Sequence, residues 1–429
     1  MNRRIAGLSI TLTLGLLVAG GLGLVLAGSG AAQGPDGYAV YYVAPSCAGM
    51  PTPCYAEVQS AVDGVDDPGD VVQIAQGTYT AVHVRDGTTQ AVHVTKTVTL
   101  RGGYAPDFSA WDPDLYPTVL DAQSLGRVIY AAGDASVAIE GLTLTGGDST
   151  AGGGLGYGGG LWAVGGSGPS LTVTLRHSQI ISNVAAAGAA GGGLAAVFSN
   201  VVIEDSLVQN NQAQGTGGGA RFEQANVDLT NTIWRDNETA SNGGGFYALN
   251  YSNVEMTNTV LIDNHAGTAG GALVSAAAYV VGRHTTVARN TAGDGTGIYV
   301  TSGSLPGSGP GSVSLTNSIL AFHDIGIYAY GSLPYLNTAR LDHTLWDGHD
   351  VLAAGGGTLN VSNTVVGSPD FCCDGYHIYP TSAAIDQGVA AGVRFDIDGQ
   401  LRPSPGGYDL GADEITEPVW LPLILRNGP

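Results

Sequence analysis

The chain has 429 residues, only 12% of them charged, and a formal net charge of −21. A surface this acidic repels phosphate backbones, which argues against nucleic acid as a partner. Glycine is in large excess, at 68 residues, but lacks the third-residue spacing of collagen.

Taken in chain order, the first feature is a short basic start, Arg3-Arg4, followed by an uncharged apolar stretch from Ile5 to Ala27 and the small-residue run Gly28 to Ala32. That layout predicts a secretory signal peptide over residues 1–32, cleaved near Ala32, and so a secreted, extracellular or cell-surface protein with no membrane span after cleavage. Residues 33–125 read as an N-terminal cap and the first coils of a repeat. A short amphipathic helix is expected over Tyr55 to Val65, suited to covering an open end. Cys47 and Cys54 close a short loop, and outside the cell a disulfide is the default for such a pair. His83 and His93 stand in the similar segments Ala81 to Val84 and Ala91 to Val94 and read as outward residues of paired strands.

Residues 126–365 carry the signal that sets the fold. Gly158-Gly159-Gly160, Gly191-Gly192-Gly193, Gly217-Gly218-Gly219 and Gly243-Gly244-Gly245 recur, with weaker copies at Ala269-Gly270-Gly271 and Gly295-Thr296-Gly297, and the interval settles at 26. In phase with them run Asn183, Asn211, Asn237, Asn264 and Asn290, each three positions after an apolar residue. Between these marks apolar and polar residues alternate with period two, as in Val227 to Ile233 and Val254 to Val260, which is the pattern of short strands. One such coil cannot bury its apolar side, whereas stacked coils can. The expectation is therefore an all-β right-handed parallel β-helix, with equivalent residues about 4.8 Å apart and the asparagines bonded into an internal ladder.

Three further columns follow from the repeat. His177, Asp205, Asn231, Asn258, His284, Asn317, His343 and Asn363 hold the last-but-one place of each strand and read as a polar ladder at a bend. Leu161, Leu194, Ala220, Phe246, Ala272, Ile298 and Ile327 read as inward, which points Trp162, Ala195, Arg221, Tyr247, Leu273, Tyr299 and Tyr328 outward. The exposed row Trp162, Arg221, Tyr247, Tyr299 and Tyr328 is a candidate ligand-binding face, because aromatic rings stack on sugars and anchor protein contacts.

Residues 366–414 form a small terminal module and 415–429 an apolar tail too short to span a membrane. Asp396, Asp398, Asp409 and Asp413 could gather round a calcium ion, with Asp396-Ile397-Asp398-Gly399 resembling the opening of a calcium loop, although the closing Glu is absent. No other cofactor is suggested. Cys372 and Cys373 are adjacent, and neither cysteine pair has a further His or Cys at the spacing of a zinc motif.

The Gly-run and Asn marks resemble the repeats of polymorphic outer-membrane-type proteins, with the aromatic of that motif present only as Trp234. More broadly the chain resembles the pectin-lyase-like β-helix superfamily, also through Pro68-Gly69-Asp70, Ala75 to Tyr79, Val98 to Tyr104 and Ile139 to Leu144. The segment Ser382 to Gly388, continuing to Asp396-Ile397-Asp398-Gly399, Arg402-Pro403 and Asp409 to Glu414, is similar to the choice-of-anchor Q domain that ends many bacterial surface β-helix proteins. The resemblance implies fold and export far more than activity.

Hydrolases of that superfamily carry Asn-Thr-Asp, Asp-Asp, Gly-His-Gly and Arg-x-Lys motifs. Here Asp66-Asp67 falls in the cap, Gly348-His349-Asp350 lacks the second Gly, and the single lysine stands in Thr95-Lys96-Thr97. The outward acids Glu204, Asp228 and Glu255 come one per repeat. No catalytic residue is assigned. The sequence favours a non-enzymatic surface protein with a structural, adhesive or glycan-contacting role, its partner a surface or matrix polysaccharide or protein. The alternatives are a lyase or hydrolase of acidic glycans and a self-associating surface-layer or filament subunit.

Overall fold

The computed structural model describes residues 32–415, apart from 34–36, 152–155, 167, 186–187, 304–307, 333, 349–350 and 354. The expected signal peptide and most of the apolar tail lie outside these residues. The body is a right-handed parallel β-helix. Parallel stacking begins where Ala39–Val43 pairs with Val71–Ala75 and runs to the pairing of Thr338–Trp346 with Val365–Val366. Each coil adds one strand to the sheet that follows the Gly runs, a long segment to the largest sheet, and in the middle coils a two-residue strand to a third.

Four corners per coil explain the repeat. In the coil made of Ala220–Glu223, Asn226–Arg235 and Glu238–Thr239, the chain turns at Gln224, Asn231, Asp236 and Gly243, all in the left-handed region with φ of 50°, 52°, 55° and 75°. At the Gly corner the space is closed as well as the dihedral: a Cβ on Gly217 would lie 2.0 Å from the Ala220 carbonyl oxygen. The second corner is the polar column: from His177 to Asn363 all eight residues have φ between 45° and 52°. Short polar side chains tolerate this conformation better than branched ones, which is why Asn, Asp and His fill it. The bend, more than any ligand, accounts for the column.

Immediately after the third corner, the asparagine side chains point inward and are fully buried. Asn183, Asn211, Asn237 and Asn264 each donate Nδ2–H to the Oδ1 of the asparagine one coil on, at 2.9–3.0 Å. Each of these Oδ1 atoms also accepts the backbone N–H of the preceding asparagine. The second Nδ2–H of Asn237 caps the Val208 carbonyl at 2.9 Å, so both of its amide protons and both acceptor sites are used. Asn237→Ala strands the backbone and side-chain donors of Asn211 and the Val208 carbonyl. It is expected to cost about 2–4 kcal/mol, read as the shift in a urea unfolding midpoint.

The intervals are less regular than the sequence suggested. Phe246 pairs with Leu273 and Leu273 with Ile298, so the fifth Gly mark is Gly270-Gly271-Ala272, and Leu273 points inward where Ala272 had been expected to. Val274 takes the outward place. Around Trp234 the core is aromatic, its ring 6.4 Å from Phe222 and 5.9 Å from Phe246.

At the N-terminal end the helix covers Val58–Gly64, shorter than expected. Its buried Gln59 mimics a missing strand: Nε2 donates to the His93 carbonyl at 3.2 Å and Oε1 accepts the His93 N–H at 2.6 Å. Sheet edges left open invite strand addition, and this amide closes one. Cys47 and Cys54 are disulfide-bonded. His83 pairs opposite Gln90 in an antiparallel hairpin, and His93 stacks on Tyr130.

The terminal module packs along the flank of the helix. Ile378, Ala384 and Leu410 cover Ile319, Ala321 and Leu345, while Ala412 packs with Val260, Ile262 and Ala288. The corner column supplies the polar half of this contact: Asn258 donates to the Phe395 carbonyl at 2.7 Å, and Asn317 Oδ1 accepts the Val389 N–H at 3.0 Å.

Candidate functional site

The aromatic row occupies one outward column: Trp162, Ala195, Arg221, Tyr247, Val274, Tyr299 and Tyr328 stand in register. It is less open than the sequence suggested, with Trp162 buried and Arg221, Tyr247, Tyr299 and Tyr328 half-buried. Trp162 is buried, stacked on Tyr130 at 4.6 Å with the Arg127 guanidinium 4.9 Å over its ring. Arg221 is 5.2 Å from the Tyr157 ring and paired to Glu223 at 2.6 Å. Tyr247 and Tyr299 pack on the buried Leu249, Val274 and Ala276, and Tyr299 stacks on Tyr328 at 5.6 Å. Alternation of residues gives direction but is blind to loops that fold over a face, and the rings here satisfy one another.

Open space lies instead on the corner column. Over the coils of His177 to Asn231 the flank is only partly covered, between the loop at 105–117 and the terminal module, and forms a cleft of about 370 Å³. Its floor includes His177, Gln179, Asp205 and Asn231; Asp114 forms one wall, Tyr376 and Asp398 the other. Smaller space of about 160 Å³ continues past Pro117 and Thr143, and about 540 Å³ lies beyond Asn231, against Asn258, Arg283 and Phe395. Exposed aromatics flank the track. Trp111 is anchored by Nε1–H to the Gly102 carbonyl at 2.8 Å and meets His177 edge-on; Phe395 carries Arg394 at 5.4 Å.

The floor is braced from within. Asn231 donates to Asp205 and Asn258 to Asn231, both at 3.0 Å. Beside them Arg101, Glu140, Arg176 and Glu204 stack in register as alternating charges, with pairs at 2.5 Å. One column over, Asp228 and Glu255 are register neighbours, and burial together with the Glu255 charge raises the Asp228 carboxyl. Of the acids that looked single per repeat, Asp228 and Glu255 thus meet across coils, whereas Glu204 pairs with Arg176.

The four aspartates that could gather round calcium stand in different surroundings. Asp396 accepts backbone N–H groups from Asp398, Gln400 and Glu414, and Asp409 from Asp386 and Ile415, so both tie the module's own turns. Asp398 and Asp413 face His377, a residue the sequence reading passed over, five positions after Cys372. His377 Nδ1 meets Asp374 Oδ2 and Nε2 meets Asp398 Oδ2 at 2.5 Å. Burial raises Asp374, but hydrogen bonds from His377 and Cys372 hold it at about 2. Cys372 and Cys373 are free thiols.

Residues tested for catalysis have structural places. The Asp66 and Asp67 N–H groups are held by Asp70, and Lys96 donates to the Asp63 and Val65 carbonyls at the helix end. His349 and Asp350 lie outside the described residues. His284, His343 and His177 stand coils apart.

The chain has the fold of a right-handed parallel β-helix. Among solved structures, the chain is similar to the pectate lyase Pel9A, at 14% identity and a TM-score of 0.51, covering 87% of this chain and 96% of that one. The tailspike protein gp49 of Acinetobacter baumannii bacteriophage Fri1, a capsular polysaccharide depolymerase, aligns at 12% identity and a TM-score of 0.28 over 73% of this chain and 53% of its own. No family model matches the sequence, and no curated protein matches it. Among the described residues no helix is long and apolar enough to cross a membrane.

Proposed function

We propose that this is an exported cell-surface or extracellular β-helix protein that binds neutral polysaccharide, without cleaving it, along the cleft between the 105–117 loop and the terminal module. The observation that carries the reading is the cleft itself: a floor where braced planar and hydroxylic side chains alternate with the apolar Leu207 and Ile233, flanked by exposed rings at Trp111 and Phe395. Sugar rings offer apolar faces and hydroxyl edges, which such walls and floors match. From His177 to Asn258 the column rises by three coils, about 14 Å, enough for a short run of sugar units. Asp114, Asp205 and Asp398 line the same space, and with the net charge of −21 they disfavour polyuronates. Pel9A shares the fold, so its name lends no substrate to this chain. The resemblance of the terminal module to the choice-of-anchor Q domain, which ends many bacterial surface β-helix proteins, supports a place at the cell surface.

Trp111→Ala and Gln179→Ala are expected to weaken binding of neutral oligosaccharides at least tenfold on a glycan array followed by titration. Tyr247→Ala and Tyr299→Ala leave it within twofold. Retained binding in the first pair with loss in the second would move the site to the aromatic row. Release of new reducing ends or unsaturated products from bound glycan would make the protein an enzyme and end the non-catalytic reading.

A further inference from the structure

We propose that His377, Asp398 and Asp413 bind one divalent transition-metal ion at the rim of the cleft, with Asp374 orienting the imidazole. The ligand atoms of the three residues lie within 4.8 Å of one another although they come from three separate segments of the module. Asp413 is 5% exposed, and its Oδ2 is steadied by the Ile378 N–H at 2.8 Å. Asp398 is the open member, and with Tyr376 it lines the cleft.

Two features separate this cluster from an ordinary patch of acids. First, the imidazole has carboxylates on both ring nitrogens, Asp374 on Nδ1 and Asp398 on Nε2. Asp374 is itself fixed, since its Oδ1 accepts the Tyr376 and His377 N–H groups at 3.2 Å. As it stands the ring donates to a carboxylate from each nitrogen, so the ion would displace the Nε2 proton and take its place between His377 and Asp398, while Asp374 keeps the Nδ1–H and orients the ring, the arrangement found around metal-bound histidines. Second, three carboxylates face one imidazole here, so even a protonated ring leaves excess negative charge that a dication would cancel. One nitrogen and two carboxylates suit zinc or manganese, whereas calcium takes oxygen ligands alone. The ion's remaining positions would face the cleft, open to water or a hydroxyl. A rival set, Cys372, Asp374 and His377, would use Nδ1 and a thiol; Cys372 Sγ stands 3.2 Å from Asp374 Oδ1.

The test is calorimetric titration of the chelator-stripped full-length protein with zinc chloride, with calcium chloride in parallel. One equivalent of zinc is expected, held at least tenfold more tightly than calcium. Asp398→Asn, a change at a part-exposed side chain, and His377→Gln should each weaken zinc tenfold or more, with unchanged circular dichroism. Asp374→Asn should weaken it by about 10–100-fold. The double replacement Cys372→Ser/Cys373→Ser should leave affinity unchanged, and X-ray absorption should show nitrogen and oxygen neighbours without sulfur. No zinc uptake by the parent protein, uptake unaffected by Asp398→Asn, or sulfur in the shell would each overturn the assignment. None of these outcomes depends on whether the cleft binds glycan.

Discussion

Glu414→Gln is expected to destabilise the terminal module by about 3–5 kcal/mol, the cost of leaving a buried charge without its partner. Glu414 and Arg402 are both fully enclosed and meet at 2.7 Å. Each also serves backbone: Glu414 accepts the Ser404 and Asp409 N–H groups, and Arg402 donates to the Asp409 and Gly411 carbonyls. Glutamine would present an amide donor to this set of donors and remove the carboxylate that meets the guanidinium directly, leaving it only the more distant charges of Asp396, Asp409 and Asp413. Many buried pairs can be exchanged for apolar residues at little cost, but not this one. The double replacement Arg402→Met/Glu414→Met still strands the Ser404 and Asp409 N–H groups and the Gly411 carbonyl, so it should recover only part of the loss. Urea unfolding followed by protection of residues 367–415 from limited proteolysis reads both variants. A loss below about 1 kcal/mol in the single variant, or full recovery in the double, contradicts the account.

That ion pair also shows what was legible in the sequence. Arg402 and the Asp409 to Glu414 segment were visible as a motif resembling a surface-anchor domain, but the motif's physical content is an internal knot that no spacing rule reveals. The β-helix was legible because two marks keep one period, and each has a local cause: Gly at a corner closed to Cβ, Asn just past another. Where a coil holds an extra residue, as between Gly243 and Gly270, the period alone misplaced Leu273 and Val274 by one. The docking flank carries its own signal in the sequence. Val260-Leu261-Ile262 and Ile319-Leu320-Ala321 are apolar on both faces, and all six are buried, whereas a strand wet on one side alternates. In the cleft coils the outward places are mixed, with Gln179 and Gln209 beside Leu207 and Ile233, and the module touches only the last of them, at Ile233. His377 was invisible for another reason: its partners Asp398 and Asp413 lie far along the chain and meet it only through the fold of the module.

Acid should act on the same interface through His284. This residue is fully buried beneath the module, its Nε2 accepting Asn317 Nδ2–H at 3.0 Å and its ring 6.2 Å from that of Tyr408. Burial first, and the nearby Arg402 charge second, push it down to about 3 from an ordinary 6.5. Above pH 6.5 the ring is neutral whether the module is docked or not, and its full contribution is present. As pH falls below 6.5, the undocked or unfolded state takes up a proton that the docked state refuses, so stability is lost by about 1.4 kcal/mol per pH unit until the folded value is reached. By pH 4 the loss amounts to about 3 kcal/mol. Wild-type protein will not display this slope alone, because other groups facing the same contact pull the opposite way. Burial raises Asp409 to about 6, and Asp396 and Asp413 are also raised by burial. Those carboxyls take up protons in the folded state before the unfolded one, and so favour docking as pH falls from about 6 toward 4. The clean observable is the difference between wild type and His284→Asn, since asparagine fits the left-handed corner at φ 51° and the seven other members of the column are Asn, Asp or His. Relative to wild type, His284→Asn should gain about 3 kcal/mol between pH 7 and pH 4. An unfolding difference that stays constant across that range would mean the ring is reached by water, and that the module covers the corner column less tightly than its hydrogen bonds to Asn258 and Asn317 require.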